Sequence, residues 1–121
     1  MSDDRKSFGA QGEEQAALYL ESRGLRVLER GYRCVFGEAD LIARDGETVV
    51  FVEVKRRSCA DYGPAECAVD RRKQQHLIKT ALHWLQARGL SDVPVRFDVV
   101  ALQEGSLRHI PSAFSAEGWT R

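Results

Sequence analysis

The spacing of apolar and polar residues changes period several times along the chain. Ala10, Ala16, Ala17, Tyr19 and Leu20 lie among Glu13, Glu14, Glu21 and Arg23, and Gly24 follows, which predicts a first helix over 8–23 with a glycine cap. Three segments rich in strand formers come next, 25–33, 38–43 and 48–55, the last reading Thr-Val-Val-Phe-Val-Glu-Val-Lys. Asp45-Gly46 separates the second from the third and predicts an antiparallel hairpin with these two as its loop residues, both at positive φ. Residues 58–66, with Gly63-Pro64, read as a loop. Leu77, Ile78, Ala81, Leu82 and Leu85 form an apolar stripe at helical spacing, so a second, amphipathic helix is expected over 69–88, closed by Gly89. Past Pro94, a strand over 95–102, a turn at Glu104-Gly105 and a further strand over 106–110 complete the pattern. The order of helix, three strands, helix and one or two strands describes an α/β domain over 8–114, between a flexible stretch 1–7 and a tail 115–121.

Composition narrows the class. A chain of 121 residues suits one domain, and 43% hydrophobic with 30% charged residues excludes disorder for the body. No segment approaches the roughly 20 apolar residues that cross a bilayer, and Met1 to Lys6 lacks the apolar core of a signal peptide, so a cytoplasmic protein with no membrane partner is expected. Cys34, Cys59 and Cys67 are odd in number and widely spaced, which suggests neither a disulfide framework nor a zinc site. Eighteen basic residues balance 18 acidic ones. Any binding of phosphate must therefore come from a local patch rather than a global field.

The hairpin carries the candidate chemistry. With Asp45 and Gly46 as the loop, Arg44 faces Glu47, Asp40 faces Phe51 and Glu38 faces Glu53. Side chains alternate along strands, so Phe51, Glu53 and Lys55 share a face with Asp40 and Glu38, while Val50, Val52 and Val54 point away. Asp40 and Glu53 become diagonal neighbours, a spacing that lets two carboxylates grip one divalent cation. Solvated surface ion pairs are the alternative use of the same residues. Against it, the third strand is apolar on both sides of its charges, as a central strand is, and charges there are costly unless paired or metal-bound. Lys55-Arg56-Arg57 and Arg71-Arg72-Lys73, with Lys79 further on, form either a basic rim for phosphate or a solvated helix face. His76, His83 and His109 form no evident metal set and read as surface or boundary residues, and Tyr19 and Trp84 as packing residues.

Asp40 followed by Glu53-Val54-Lys55 resembles the D…(D/E)-x-K core of the PD-(D/E)XK nuclease superfamily, and the order of elements resembles its restriction-endonuclease-like core, a mixed sheet flanked by helices. Gly9-x-x-Gly12-Glu13-x-x-Ala16, Tyr32-Arg33, Gly37-Glu38-Ala39-Asp40-Leu41-Ile42-Ala43, Phe51-Val52-Glu53-Val54-Lys55-Arg56-Arg57, Lys73-Gln74 and Arg96-Phe97-Asp98-Val99 resemble the bacterial YraN-like family, uncharacterised and related in fold to archaeal Holliday-junction resolvases. The resemblance implies that Asp40, Glu53 and the Val54 carbonyl bind Mg²⁺ or Mn²⁺, with Glu13 contributing. Lys55 would orient the attacking water or neutralise charge, Glu38 would assist, and Gln74 matches a polar residue of the following helix. Ala39 stands where the superfamily's name has proline. The implied activity is metal-dependent hydrolysis of nucleic acid, DNA before RNA and branched or junction DNA in particular, by a homodimer. A non-catalytic nucleic-acid or protein-binding module on the same fold, or a structural domain whose acids form a buried polar network, are the competing readings.

Overall fold

The computed structural model describes residues 4–55, 70–103 and 106–116. Helix α1 spans Asp4–Ser22, strands β1, β2 and β3 span Arg26–Cys34, Gly37–Asp45 and Thr48–Lys55, α2 spans Arg71–Ala87, and β4 and β5 span Val95–Gln103 and Ser106–Phe114. The strands form one five-stranded sheet in the order β1-β2-β3-β4-β5, antiparallel except for the parallel β3–β4 pair that α2 connects. This is a mixed α/β sheet with two helices, compatible with a restriction-endonuclease-like core. None of the described helices is long and apolar enough to cross a membrane.

Each helix covers one face of the sheet. Ala16, Ala17 and Leu20 of α1 pack on Leu41, Ala43, Val50, Val52, Val100 and Leu102. Leu77, Ile78, Ala81, Trp84 and Leu85 of α2 pack on Ile42, Val49, Phe51 and Phe97. Alternation along β3 thus feeds two cores at once, and Val50, Phe51 and Val52 are fully buried, as expected for a central strand. Asp70 caps α2, its Oδ1 accepting the Lys73 N–H at 2.9 Å.

Several expectations are corrected. The β2–β3 turn is Gly46-Glu47, because Asp45 pairs with Thr48 and Ile42 with Phe51. Gly46 lies at φ +63° and Glu47 has no positive φ, so only the first central position is left-handed, where a type II′ turn places its glycine. Asp40 therefore does not face Phe51. The register moves by two residues in sum, which by itself leaves the facing of the paired residues 41–45 and 48–52 unchanged. Helix α1 begins at Asp4 rather than Phe8, and β5 runs on to Phe114. The expected loop 58–66 and turn Glu104-Gly105 lie outside the described residues. Cys34 is a free thiol, and Cys59 and Cys67 also lie outside.

One buried charge ties β4 to β5. Asp98 is fully buried and accepts two hydrogen bonds from Arg96, Nε to Oδ1 and Nη2 to Oδ2, both at 2.9 Å. His109 Nε2 lies 2.8 Å from Oδ2, and the Ser112 N–H donates to Oδ1 at 3.0 Å. Ser112, at φ +52°, sits where the β4–β5 register shifts, so the carboxylate organises the irregular stretch of β5. Burial alone would raise the Asp98 pKa, but the hydrogen bonds from His109, Arg96 and Ser112 more than offset this and hold it below the ordinary value. Asp98→Ala would leave this set without its acceptor and is expected to cost about 3–5 kcal/mol of stability. Urea unfolding measures it, and a loss under about 1 kcal/mol would contradict the assigned role.

Candidate functional site

Past Leu41↔Val52 the ladder between β2 and β3 ends. The next contact is made by a side chain: the Val54 N–H donates to Asp40 Oδ2 at 2.8 Å. Strand β2 bends at this point. Ala39 belongs to the α2-side core and Leu41 to the α1-side core, although two residues apart in a regular strand share a face. Across from the bend is Gly31 at φ +63°, and the β1–β2 pairing passes from Arg30↔Leu41 to Tyr32↔Ala39 without it. Next to it Gly37, at φ +149°, lies against α2 so closely that an added Cβ would stand 3.3 Å from Thr80 Oγ1. Backbone permissiveness at two glycines therefore opens the sheet where β3 ends.

A cavity of about 360 Å³ fills the opening, lined by Glu38, Asp40, Glu53 and Val54 from the sheet and Lys73 and His76 from α2, with Gly37 and Leu77 completing the wall. It lies at the carboxyl end of β3, where sheets of this type commonly bind ligands. Lys73 Nζ stands 3.4 Å from Glu53 Oε2, and Arg33 pairs with Glu38 at 3.6 Å on the exposed rim. Glu13, from α1, senses the same acids: burial raises its pKa, Glu38 raises it further, and Arg30 opposes both. Asp40 feels the crowding most. Burial, then Glu53, push its carboxyl up to about 7, with the Val54 N–H opposing the rise and Glu13 and Glu38 adding to it.

The structure thus brings Asp40, Glu53, Val54, Glu38 and Lys73 around one cavity with Glu13 electrostatically coupled to it. Lys55 follows Glu53 by two residues on the same strand, hence on the same face. Arg71, Arg72 and Gln74 belong to the first turns of α2 but do not line the cavity, and Arg56 and Arg57 lie outside the described residues. Sequence reasoning missed His76 and Gly37. The spacing of Lys73 and His76 by three on a helix was a signal for the first.

Among the described residues no three His, Cys, Asp or Glu side chains gather tightly enough to form a complete metal site by themselves. The donor chemistry still fits a hard cation. Mg²⁺ usually takes one or two carboxylates and fills its other positions with water and substrate phosphate. A carboxyl raised to about 7 by burial and then by a neighbouring carboxylate is the kind of group such a charge relieves.

Comparison with known proteins gives a coherent set. The model of the uncharacterised protein family UPF0102 matches residues 12–102. A UPF0102 protein of Geobacter metallireducens is 46% identical over 118 residues, covering 94% of this chain and 97% of the relative. One from Geobacter sulfurreducens is also 46% identical over 118 residues, with coverage of 93% and 92%. One from Thermodesulfovibrio yellowstonii is 42% identical over 110 residues, with coverage of 91% and 97%. The matched span contains Glu13, Glu38, Asp40, Glu53, Lys55 and Lys73, so the whole acidic cavity lies inside it.

The Asp40 shift has a measurable sign. A carboxyl that holds its proton more tightly folded than unfolded contributes stability that is full below the ordinary carboxylate range and is lost as pH rises through about 7. In metal-free buffer Asp40→Asn is expected to match wild type near pH 4 and to exceed it near pH 8.5 by on the order of 2 kcal/mol. Urea midpoints at the two pH values decide the matter; an advantage that does not grow with pH would refute the crowding argument.

Proposed function

The chain belongs to the uncharacterised protein family UPF0102, the YraN-like family that its motifs resemble, and we propose that it is a metal-dependent nuclease of the PD-(D/E)XK type. One observation carries the reading. Asp40 and Glu53, with Glu13 and Glu38 nearby, crowd acidic charge at the parting of two strands, where it destabilises the fold unless a proton or cation neutralises it. Satisfying the Val54 N–H needs one acceptor and not four crowded acids, and perturbed acids in a cleft point to chemistry.

Asp40, Glu53 and the Val54 carbonyl would hold Mg²⁺ or Mn²⁺, with Glu13 contributing directly or through water. When bound there, the cation supplies Lewis acidity toward the scissile phosphate and lowers the pKa of a bound water. Asp40 must release its proton to serve as a ligand, so metal affinity should rise with pH up to about 7. Lys55 orients the attacking water or neutralises the charge that develops on the phosphate. Lys73, 3.4 Å from Glu53, and the cations Arg71 and Arg72 in the first turn of α2 give the rim the positive charge that phosphate needs, although the chain as a whole is neutral. Arg56 and Arg57 follow Lys55 directly in sequence and extend the same basic series. Gln74 would assist substrate placement. DNA, branched or junctional, is the proposed substrate, the cytoplasm the place of action, and a homodimer the form that would set two sites on two strands.

The experiment is Mg²⁺ and Mn²⁺ titration by calorimetry, run with labelled duplex, junction, flap and single-stranded substrates. Wild type is expected to bind metal and cut at least one substrate, and Asp40→Asn and Glu53→Gln to stay folded, lose metal heat and fall in cleavage by about a hundredfold or more. Folded wild type that binds no metal and cuts nothing would leave the fold as a binding module.

A further inference from the structure

A second cavity adjoins the acidic one. It holds about 480 Å³ and is lined by Phe36, Leu82, Leu85 and Leu90 with Lys79 and His83 at its polar side. The β1–β2 turn supplies its outer wall. This turn is Val35-Phe36, bounded by the Cys34↔Gly37 pair, and it leaves Val35 88% and Phe36 43% exposed, beside Leu82 at 45%. Single exposed apolar residues are ordinary, but bulky ones gathered on a turn and a helix around a concavity are not. The wall is also held in place. The Tyr32 hydroxyl lies 2.5 Å from His83 Nδ1, and the His83 ring meets Phe36 edge-on at 6.2 Å and Tyr32 at 6.1 Å.

The two cavities share their parts. Phe36 lines one and its neighbour Gly37 the other. Along α2, Lys73 and His76 line the acidic cavity, while Lys79 and His83 line the apolar one. These four fall on one arc of the helix. From position 73 to position 83 the helix rises about 15 Å, longer than one nucleotide step of an unstacked strand. Lys79 makes no ion pair with any described residue.

We propose that the apolar cavity captures one unstacked base of the strand whose phosphate lies at the acidic cavity, so that the substrate carries unpaired nucleotides beside the bond to be cut. The inference rests on the nuclease reading and names its substrate class. A slot with an aromatic edge, aliphatic walls and a cation on the phosphate track takes a base face on its apolar side and backbone charge on its rim. Continuity with the phosphate site selects a base over an apolar peptide, because a strand following Lys73, His76 and Lys79 arrives at the cavity. An intact duplex keeps its bases stacked and presents none to it.

The test uses the full chain in EDTA, so that no bond is cut, with two DNA probes carrying 2-aminopurine: one at a single-base bulge, one fully paired. Wild type is expected to bind the bulged probe more tightly and to change its fluorescence. Phe36→Ala should weaken that binding about tenfold while moving the paired probe less than about twofold, and Phe36→Trp should restore it. Circular dichroism and thermal melting establish that the variants fold. Equal binding of both probes by wild type, or equal weakening of both by Phe36→Ala, overturns the proposal. So does a wild-type dimer in sedimentation that Phe36→Ala dissociates without changing probe affinity, since the cavity then seats a second copy. Cutting is read separately in Mg²⁺: capture that depends on Phe36 without cutting keeps the base cavity and rejects hydrolysis, whereas cutting indifferent to Phe36 does the reverse.

Discussion

The hydrogen bond from the Val54 N–H to Asp40 Oδ2 is the joint between fold and site. A strand ladder that ends inside a domain leaves backbone donors to satisfy. Here a carboxylate accepts one of them, and by doing so it is fixed at the opening it creates. Among the described residues the same contact lowers the Asp40 pKa against burial and three other carboxylates, without overcoming them. Removing the bend would close the ladder and bring Asp40 back into regular pairing. The chemistry of the cavity is therefore a consequence of where β2 leaves β3.

The remainder of the domain holds that opening in place. Because β3 is buried on both faces, with α1 on one side and α2 on the other, Glu53 and Val54 are presented from a rigid central strand rather than from a loop. The parallel β3–β4 pair requires a crossover, and the crossover helix delivers Lys73 and His76 to the cavity. Gly37 lets the turn of β1 and β2 approach α2 closely enough for sheet and helix to share one wall. On the α1 side Asp98, with Arg96, His109 and Ser112, fixes β5 to β4 by a fully satisfied buried charge.

The sequence made much of this legible, and the reasons for success and failure are physical. Strand period is two, so placing the hairpin turn one position too early along the chain, at Asp45-Gly46 instead of Gly46-Glu47, moved the register without changing the facing of the residues that pair, while the bend that carries Ala39 to the α2 side went unseen. Asp40 and Glu53 were for that reason found together despite the error. The family resemblance was likewise carried by local motifs, which need no register at all. Contacts between distant segments were not legible. His109 looked like a boundary residue because nothing local to it announces Asp98, although a lone Asp among Val95, Phe97, Val99 and Val100 satisfied the same argument that singled out Glu53. Two bulky apolar residues in a two-residue turn, Val35-Phe36, were also a signal, since turns ordinarily carry small or polar residues.

The two charge clusters answer a single energetic question in opposite ways. Burial pushes both carboxyls up, yet the Asp98 pKa ends lowered and that of Asp40 raised, because hydrogen bonds from His109, Arg96 and the Ser112 N–H outweigh burial at Asp98 whereas at Asp40 one backbone donor opposes burial and three acids. Burial acts in the same direction on both acids, so the sign of their neighbours is what separates them. A fold that fully satisfies one buried acid has the means to satisfy another, and Lys73 already reaches Glu53. Among the described residues Asp40 keeps more acidic than basic neighbours beside an accessible cavity, and the proposed hard cation carrying phosphate is a ligand whose chemistry would suit both those acids and the lysine at Glu53.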